Sequence, residues 1–155
     1  MTGVFPNERG AVMHDEIIRK AEQIIMEKAG RGNDAYCTLA LLDQDGYPTT
    51  STISIARADG IKWLSFCTRV GRKAERIKRC DKASVCINSP EYHISLTGRI
   101  EMLTDMATKK DMWVSGLLRS FDGVFDPDYC VLKFTTEHYK ISIDWQETKG
   151  TLHRM

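Results

Sequence analysis

The chain has 155 residues, of which 42% are hydrophobic and 28% charged, and its formal net charge is +1. This size and composition indicate a folded globular protein, and we expect a single domain over residues 1–155. A near-neutral charge gives no overall attraction to nucleic acids or acidic membranes, and no apolar stretch has the length of a membrane span or the pattern of a secretory signal. We therefore expect a cytoplasmic protein without nucleic-acid or membrane partners.

The cysteine and histidine content favours neither a disulfide framework nor a metal site. The five cysteines are an odd number and form no C-x-x-C pair, which indicates reduced thiols. Several of them alternate with apolar residues on predicted strands, as small core residues do. The four histidines are scattered along the sequence, so we expect no metal ligands.

The N-terminal part predicts one helix. Residues 1–10 have no periodic pattern and are expected to form a loose arm. Apolar residues then recur at helical spacing over residues 14–29, which predicts a helix packed on the core. Gly30 follows at the position where a helix commonly ends.

Three strands and two hairpin turns are expected next. Residues 35–42, 49–56 and 61–67 are rich in apolar or β-branched residues, and Asp45-Gly46 and Asp59-Gly60 separate them as turn signals. The middle strand alternates Ser and Thr with Ile, so one of its faces is apolar and the other rich in hydroxyls. Pairing through the second turn would place these hydroxyls beside the third strand.

The rest of the chain mixes short helices with further strands. Gly98 interrupts one of these strands and predicts a β-bulge. Since strands dominate and do not alternate regularly with helices, the pattern favours a small, mostly antiparallel barrel with a few outer helices. The expected elements are a helix at 70–79, strands at 83–88 and 92–103, a helix at 105–118, a loop at 121–129, strands at 131–135 and 139–145, and a polar tail at 146–155.

The clearest candidate binding motif follows the third strand. Arg72 and Lys73 lie where the next helix begins, although the N–H groups and partial positive charge of a helix N-terminus favour anions. A phosphate would resolve this conflict, because it accepts hydrogen bonds from backbone N–H groups, the Thr68 hydroxyl and both cations. The alternative is a solvated basic face, since basic residues continue to Arg79.

Several familiar catalytic and nucleotide-binding motifs are absent from the sequence. It contains no G-x-x-x-x-G-K-[ST] phosphate loop, no G-x-G-x-x-G turn after a strand and no G-x-S-x-G elbow. We therefore assign no catalytic residue from sequence patterns.

The sequence from Pro48 to the Gly71-Arg72-Lys73 turn resembles the pyridoxamine 5'-phosphate oxidase-like family of FMN-binding split barrels, and most of all its general stress protein branch. The resemblance extends over about residues 34–145. It implies a mainly β fold, an antiparallel split β-barrel with a few peripheral helices. It also implies a homodimer with FMN in the groove between the two subunits.

The resemblance further implies a set of cofactor-binding residues. In the family, the hydroxyl-rich strand lies along the flavin ring and the Arg-Lys turn holds the phosphate. The corresponding residues here are Ser51, Thr52, Ile53, Ser54, Ile55, Phe66, Cys67, Thr68, Arg72, Lys73, His93 and Trp145.

The chain departs from the family pattern at several of these positions. Gly71 replaces a Ser before the Arg-Lys pair, and Cys67 replaces a Thr that follows the aromatic residue. Full-length oxidases carry an Arg and a Lys on the flavin-facing strand where this chain has Ser51 and Ala56. In the tail, His153 matches a substrate-binding His by spacing, whereas Thr151 takes the place of the substrate-binding Arg.

The resemblance implies an FMN-dependent oxidoreductase that acts on a small molecule. One alternative is a true pyridoxamine 5'-phosphate oxidase. A second is a non-catalytic flavin-binding or haem-binding protein on the same barrel. A third, from a different class, is nucleic-acid binding through the basic cluster at residues 69–82.

Overall fold

The computed structural model describes residues 6–31 and 35–152, which form strands, helices and one 3₁₀ segment. The helices are α1 (Pro6–Lys28), α2 (Arg72–Arg79) and α3 (Met106–Asp111), and the 3₁₀ segment spans Ser115–Arg119. The strands are β1 (Tyr36–Leu42), β2 (Pro48–Ser54), β3 (Arg57–Asp59), β4 (Trp63–Arg69), β5 (Lys82–Ser89), β6 (Tyr92–Leu103), β7 (Tyr129–Ile143) and β8 (Gln146–Thr151).

All eight strands belong to one antiparallel sheet that curls into a half-barrel. Their order is β2-β1-β5-β6-β7-β4-β3, and β8 pairs with the far end of β7. The ends of this path, β2 at one side and β4 with β3 at the other, face each other across a gap. The predicted split β-barrel with peripheral helices is therefore confirmed.

The barrel core follows from the alternation of apolar and polar residues. On β1, Cys37, Leu39 and Leu41 are buried while the residues between them are partly exposed. Since successive side chains on a strand point to opposite faces, this pattern directs one face of the sheet inward. A fully buried side chain such as Phe134 contributes about 1.5–3 kcal/mol to folding.

The predicted bulge is present in the antiparallel pair of β6 and β7. Their register shifts between Thr97 and Gly98, and a Cβ at Gly98 would lie 2.0 Å from the Thr135 carbonyl oxygen. Only glycine permits this close approach of two backbones. Beyond the bulge β7 continues as one strand, so the expectation of two strands at 131–135 and 139–145 was wrong.

The first helix is longer than its apolar pattern indicates. It begins at Pro6, a residue well suited to the first turn of a helix because its missing N–H is not needed there. The expected loose arm is therefore wrong for residues 6–10, and residues 1–5 lie outside the described part. Ile17, Ala21 and Ile25 are buried against the barrel core.

The second hairpin differs from the prediction. The strand β2 pairs along its whole length with β1, and the short β3 forms the hairpin with β4 around Gly60, whose φ is +55°. The expectation that the hydroxyl-rich strand pairs with the third strand was therefore wrong. A turn signal locates the turn but does not show how far the pairing extends. Here strand β2 ends at Ser54, and β3 begins only at Arg57.

The helix expected at 105–118 ends early. The Asp105 carboxylate caps α3 by accepting a hydrogen bond from the Thr108 N–H at 3.0 Å, and α3 ends at Asp111. Ser115 and Gly116, both poor in the interior of a helix, then begin the 3₁₀ segment. This turn covers a small second core of Met112, Phe121, Tyr129 and Val131 on the outside of the sheet.

The tail expected at 146–155 is largely a strand. Gln146–Thr151 forms β8, which pairs with β7 from Ile143↔Gln146 to His138↔Thr151. The residues of β8 are polar because one edge and one face of this strand remain in water. His153, matched to a family histidine by spacing, lies outside the described residues.

No helix in the described part of the chain combines the length and apolar character needed to cross a membrane.

Candidate functional site

A groove opens in the barrel where β2 and β4 separate. At the closed end of this gap the Ala56 N–H donates to the Ser65 carbonyl at 2.8 Å, and the Arg57 N–H donates to Ser65 Oγ at 3.1 Å. Beyond these bonds β2 and β4 do not pair with each other, and a cavity of about 720 Å³ opens between them. This volume is in the range of small-molecule and cofactor sites.

Two walls of the groove are strand ends. Residues 52–56 form one wall and residues 67–69 the other. Because β2 pairs only with β1, and β4 beyond Ser65 pairs only with β7, the edges that face the groove have no strand partner. These edges offer backbone N–H and C=O groups, together with the hydroxyls of Thr52, Ser54 and Thr68, to a ligand.

The third wall is the segment of residues 114–121, which includes the 3₁₀ segment. Two arginine side chains attach it to the barrel. Arg57 donates from Nη2 to the Trp113 carbonyl at 3.1 Å, and Arg69 donates to the Ser120 carbonyl. The Arg69 guanidinium also lies over the Phe121 ring, 5.0 Å from its centre. The wall is thus held at both ends.

The charges around the groove favour an anionic ligand. Arg31, Arg69 and Arg119 line it, and no carboxylate lines it within the ranges that the structure describes. Arg69 is partly neutralised by Asp128, whose carboxylate lies 3.7 Å away. All three arginine side chains are exposed, so the positive charge that remains at the mouth of the groove can attract an anion from solvent.

The N-terminus of α2 follows directly after the β4 wall. Gly71 precedes the helix, and no side chain caps its first N–H groups. Arg72 is exposed and lies in a neighbouring hollow beside Asp43 and Asp45, while Lys73 is half-buried. The two cations are therefore next to the groove but do not line it in this conformation.

Cys67 lines the groove but is not an activated thiol. Its Sγ lies 3.5 Å from the Met112 carbonyl and 3.6 Å from the Tyr129 hydroxyl. Burial raises the pKa of the Cys67 thiol to about 11, and the hydrogen bond to Tyr129 offsets only part of this. At neutral pH the thiol is protonated, so it does not act as a thiolate nucleophile.

The structure brings half of the predicted cofactor-binding residues together in this groove. They come from the two strand ends that border the groove. These residues are Thr52, Ile53, Ser54, Ile55, Cys67 and Thr68.

The other predicted residues lie outside this groove. Besides Arg72 and Lys73, Phe66 is fully buried in the barrel core, and Ser51 lies on β2 opposite Leu39. His93 is exposed on β6, where its Nε2 lies 3.9 Å from Cys86 Sγ. Trp145 is 100% exposed in the turn between β7 and β8, with a φ of +66°.

Sequence reasoning missed several residues that line the groove. Arg31, Tyr36 and Arg119 come from separate segments without a shared motif, and only the fold brings them together. Most of the wall at 114–121 falls within the helix predicted at 105–118, so the sequence did not indicate it as a separate segment. Its one available signal was the Ser115-Gly116 pair, which is typical of a helix break.

Comparisons with known proteins place this groove in a family context. The family model described as pyridoxamine 5'-phosphate oxidase matches residues 28–142. A search of curated proteins found no match to the chain. Among solved structures, the chain is similar to a protein related to general stress protein 26 of B. subtilis from Clostridium acetobutylicum. That match has a TM-score of 0.78 and 22% identity, covering 89% of this chain and 96% of the other.

Two further solved structures share the fold. One is a haem-binding protein from Mycobacterium smegmatis, with a TM-score of 0.66, 16% identity and coverage of 87% of this chain and 57% of the other. The other is a pyridoxamine 5'-phosphate oxidase-related, FMN-binding protein from Nostoc punctiforme, with a TM-score of 0.59, 13% identity and coverage of 99% and 100%.

Proposed function

Because the chain belongs to the pyridoxamine 5'-phosphate oxidase family, we propose that it binds FMN in the groove between β2 and β4 and acts as an oxidoreductase on a small molecule. One observation carries this proposal. The groove is bounded by two unpaired strand edges, has arginines on its lining and holds no carboxylate among its described residues. A flat, anionic, hydrogen-bonding molecule fits this combination.

The strand edges suit the flavin ring. The ring is planar and carries donor and acceptor atoms along its rim, as backbone edges do. Residues 52–54 and 67–69 present backbone N–H and C=O groups to the groove, and Thr52, Ser54 and Thr68 add hydroxyls. Apolar contacts come from Tyr36, Val114 and Leu117, so the groove combines apolar and polar walls in the manner of cofactor sites.

The start of α2 suits the phosphate. Its first N–H groups are not capped by a side chain, and Arg72 and Lys73 supply two positive charges there. Arg72 reaches the groove side of the helix if its exposed side chain turns away from Asp43 and Asp45. Thr68 lies between this helix end and the ring site, so its hydroxyl can form a hydrogen bond with either the phosphate or the flavin ring.

The chemistry of such a site belongs to the cofactor: bound FMN supplies hydride or single-electron transfer at its ring. This chain contributes binding and orientation, and the three arginines of the lining stabilise negative charge on a ligand in the groove. We assign no catalytic acid or base, and the protonated thiol of Cys67 is not a candidate nucleophile.

We further propose that two copies associate through the outer face of β2, β1, β5 and β6. Two rows of small, uncharged and unburied side chains cross these four strands in register. Such a face carries no like charges to repel a second copy, and interface centres are depleted in charge. The rows are Thr52, Thr38, Cys86 and Ser95, and Thr50, Ala40, Ser84 and Thr97.

This face is continuous with the groove, because Thr52 belongs to both. A second copy on the face would therefore lie next to the bound cofactor. The exposed Trp145 and His93, which are remote from the groove of their own protomer, would then approach the groove of the partner. A cytoplasmic location and a single domain stay predictions.

Haem is the alternative ligand, since one structural neighbour is a haem-binding protein. Haem iron commonly takes an axial His, Met, Cys thiolate or Tyr. Of the described residues that line the groove, none is His or Met, and Cys67 is a protonated thiol. The candidate iron ligand that remains among them is Tyr36, whereas three arginines of the lining suit a phosphate-bearing cofactor. The groove therefore favours FMN.

A true pyridoxamine 5'-phosphate oxidase is the alternative activity, and Thr151 in place of the family arginine disfavours it.

The direct test is FMN binding by the purified protein, followed through flavin absorption and the quenching of flavin fluorescence. We expect the double variant Arg72→Ala, Lys73→Ala to lose at least about 100-fold in FMN affinity, because two charge-assisted hydrogen bonds to phosphate are removed. The matched control is Lys78→Ala, Arg79→Ala, which removes the same charge from the other end of α2.

The control variant should bind FMN like the parent. Equal binding by both double variants would show that the phosphate is not held at the start of α2.

For the dimer, Ser84→Arg places a charge at the centre of the proposed face. Light scattering should then report a monomer, and the FMN titration should show weakened binding. A variant that remains a dimer would refute this interface without affecting the phosphate assignment.

A further inference from the structure

The groove between β2 and β4 has two ends with different chemistry. At the open end, Arg69 ends β4 and leads into the start of α2, where the FMN phosphate is proposed to bind. At the closed end, Ala56 and Ser65 join the two strand ends, and Arg31 lines the groove beside them. Because a strand rises about 3.3 Å per residue, Ser65 and Arg69 lie about 13 Å apart, so a cation at one end cannot serve both.

The turn after α1 places Arg31 at the closed end. Gly30 has a φ of +81°, and its N–H donates to the Ile55 carbonyl at 3.0 Å, directly after β2. The Arg31 N–H donates to the Lys28 carbonyl at 3.2 Å, which continues this turn. These two bonds fix the backbone of Arg31 beside residues 55–56, which line the same groove.

The backbone donors at the closed end are already used within the protein. The N–H groups of residues 55, 56 and 57 donate at 3.4, 2.8 and 3.1 Å to acceptors of this chain. A ligand acceptor that reaches this end therefore needs side-chain donors. Arg31 is the charged donor of the lining there, and Tyr36, opposite Ser54 in the strand register, adds a hydroxyl.

Arg31 differs from Arg69 in its partners. Arg69 lies 3.7 Å from the Asp128 carboxylate, whereas Arg31 pairs with no carboxylate of the residues that the structure describes. A cation beyond a helix C-terminus also complements the helix dipole, but Lys28 already does so in the last turn of α1. The exposed guanidinium of Arg31 is thus available to a ligand.

Reduction changes the charge of a flavin at one edge of its ring. When an external donor supplies two electrons and one proton is taken up at N5, the neutral oxidised ring becomes an anion. Its negative charge is shared by N1 and the C2 carbonyl oxygen of the pyrimidine edge, while the phosphate keeps its charge. A cation at the pyrimidine edge therefore stabilises reduced FMN more than oxidised FMN, and a cation at the phosphate stabilises both forms equally.

Given the proposed FMN site, on which this inference rests, we propose that Arg31 binds the pyrimidine edge of the flavin and raises the reduction potential of the bound cofactor. With the phosphate at the start of α2, the ring extends towards the closed end of the groove. There the pyrimidine edge is the part of the ring that can accept a hydrogen bond from a guanidinium. Val114 and Leu117 of the third wall offer apolar contacts to the methyl-bearing edge.

The test measures two quantities on the full-length protein: the affinity for oxidised FMN, and the midpoint potential of bound FMN against a reference dye during anaerobic reduction by dithionite. We expect Arg31→Gln to lower the preference for reduced over oxidised FMN at least about fivefold. That change lowers the midpoint potential by about 20 mV for a two-electron couple. Arg31→Lys keeps the charge and should recover most of this shift.

Two variants of equal charge change serve as comparisons. Arg119→Gln removes a cation from the wall near the open end, so it should weaken both redox forms by the same factor and leave the midpoint potential unchanged. Lys28→Gln removes a cation from the last turn of α1 that does not line the groove, so it should match the parent in affinity and in potential.

Equal midpoint potentials for the parent and Arg31→Gln, with FMN bound to both, would overturn the role of Arg31 and leave the FMN site intact. An equal fall in potential for Arg31→Gln and Lys28→Gln would also overturn it, because the effect would then come from the general charge at the end of α1. A parent protein that binds no FMN would overturn the proposed function and the role of Arg31 with it.

Discussion

The closed side of the barrel and its split side differ in how the backbone is satisfied. Along β1, β5, β6 and β7 each strand is paired on both sides, and the inward side chains are buried. Between β2 and β4 the pairing stops after the bonds of Ala56 and Arg57 to Ser65, and a groove replaces it. The closed side therefore stabilises the fold, and the split side leaves polar backbone edges that a ligand can bind.

This contrast explains why the candidate site needs little specialised chemistry. An unpaired edge in a folded protein is either covered or used for binding. Here the edge is neither covered by β3, which reaches only Ser65, nor blocked by the segment at 114–121, which stands beside it as a wall. The site is thus a consequence of where strand pairing ends.

The largest expected effect is on the closed side, at the β-bulge. Gly98→Val would place a Cβ 2.0 Å from the Thr135 carbonyl oxygen, and backbone atoms cannot move aside as side chains do. We expect the free energy of unfolding to fall by at least about 3 kcal/mol, as for other severe steric substitutions. Urea denaturation followed by circular dichroism measures this change.

Gly10→Ala is the control for this substitution. A Cβ at Gly10 meets nothing within 4 Å, and the residue lies inside α1. We expect it to stabilise the protein by about 0.5–1 kcal/mol, because alanine loses less conformational freedom in a helix than glycine. If Gly98→Val unfolds no more easily than the parent, the close approach at the bulge is incorrect.

Two neighbouring positions on β4 should separate stability from binding. Phe66→Ala removes a fully buried ring and should cost about 3–5 kcal/mol in the free energy of unfolding. Thr68→Val removes one hydroxyl from the groove and should change stability by less than about 0.5 kcal/mol. The same variant should weaken FMN about tenfold, the effect of one hydrogen bond.

Denaturation and FMN titration of both variants measure these two effects side by side. A Thr68→Val variant that binds FMN like the parent, yet unfolds as easily as Phe66→Ala, would remove the distinction between the closed and split sides at β4.

The sequence predicted the parts that depend on local patterns. The Asp45-Gly46 turn, the bulge at Gly98 and the start of the basic helix near Arg72 all follow from short-range signals. The family resemblance is confirmed as well. Pairing partners were harder to predict, because a turn at Asp59-Gly60 is compatible with a long or a three-residue strand before it.

The site could be predicted only in part. Six of its residues lie on the two strands named in advance, since the groove is formed by consecutive residues at strand ends. Arg31, Arg119 and the wall at 114–121 depend on the path of the chain after α3, which has no local signature. The exposed position of Trp145 follows from the long β7 and the strand β8, neither of which the alternation pattern indicated.

The smallest expected effect concerns Cys67, which lies between the second core and the groove. With a pKa raised to about 11, its thiolate fraction at pH 8 should be about 100-fold lower than that of a thiol at the ordinary value of 9.0. We therefore expect its alkylation by iodoacetamide to be slower by the same factor than that of an unstructured cysteine peptide, as measured by mass spectrometry.

The same shift predicts the direction of a pH effect on folding. Because the folded pKa is raised, the protonated thiol stabilises the native state fully below pH 9 and progressively less as the pH rises towards 11. Cys67→Ala should reduce this alkaline loss of stability. Alkylation at the rate of the reference peptide would show that the thiol is not buried against Tyr129.

Amide NMR shifts during an FMN titration test most directly whether FMN occupies the groove between β2 and β4. We expect the largest shifts on residues 52–56 and 67–69 and on the first turn of α2. Saturable binding whose shifts leave both strand ends unchanged would contradict it.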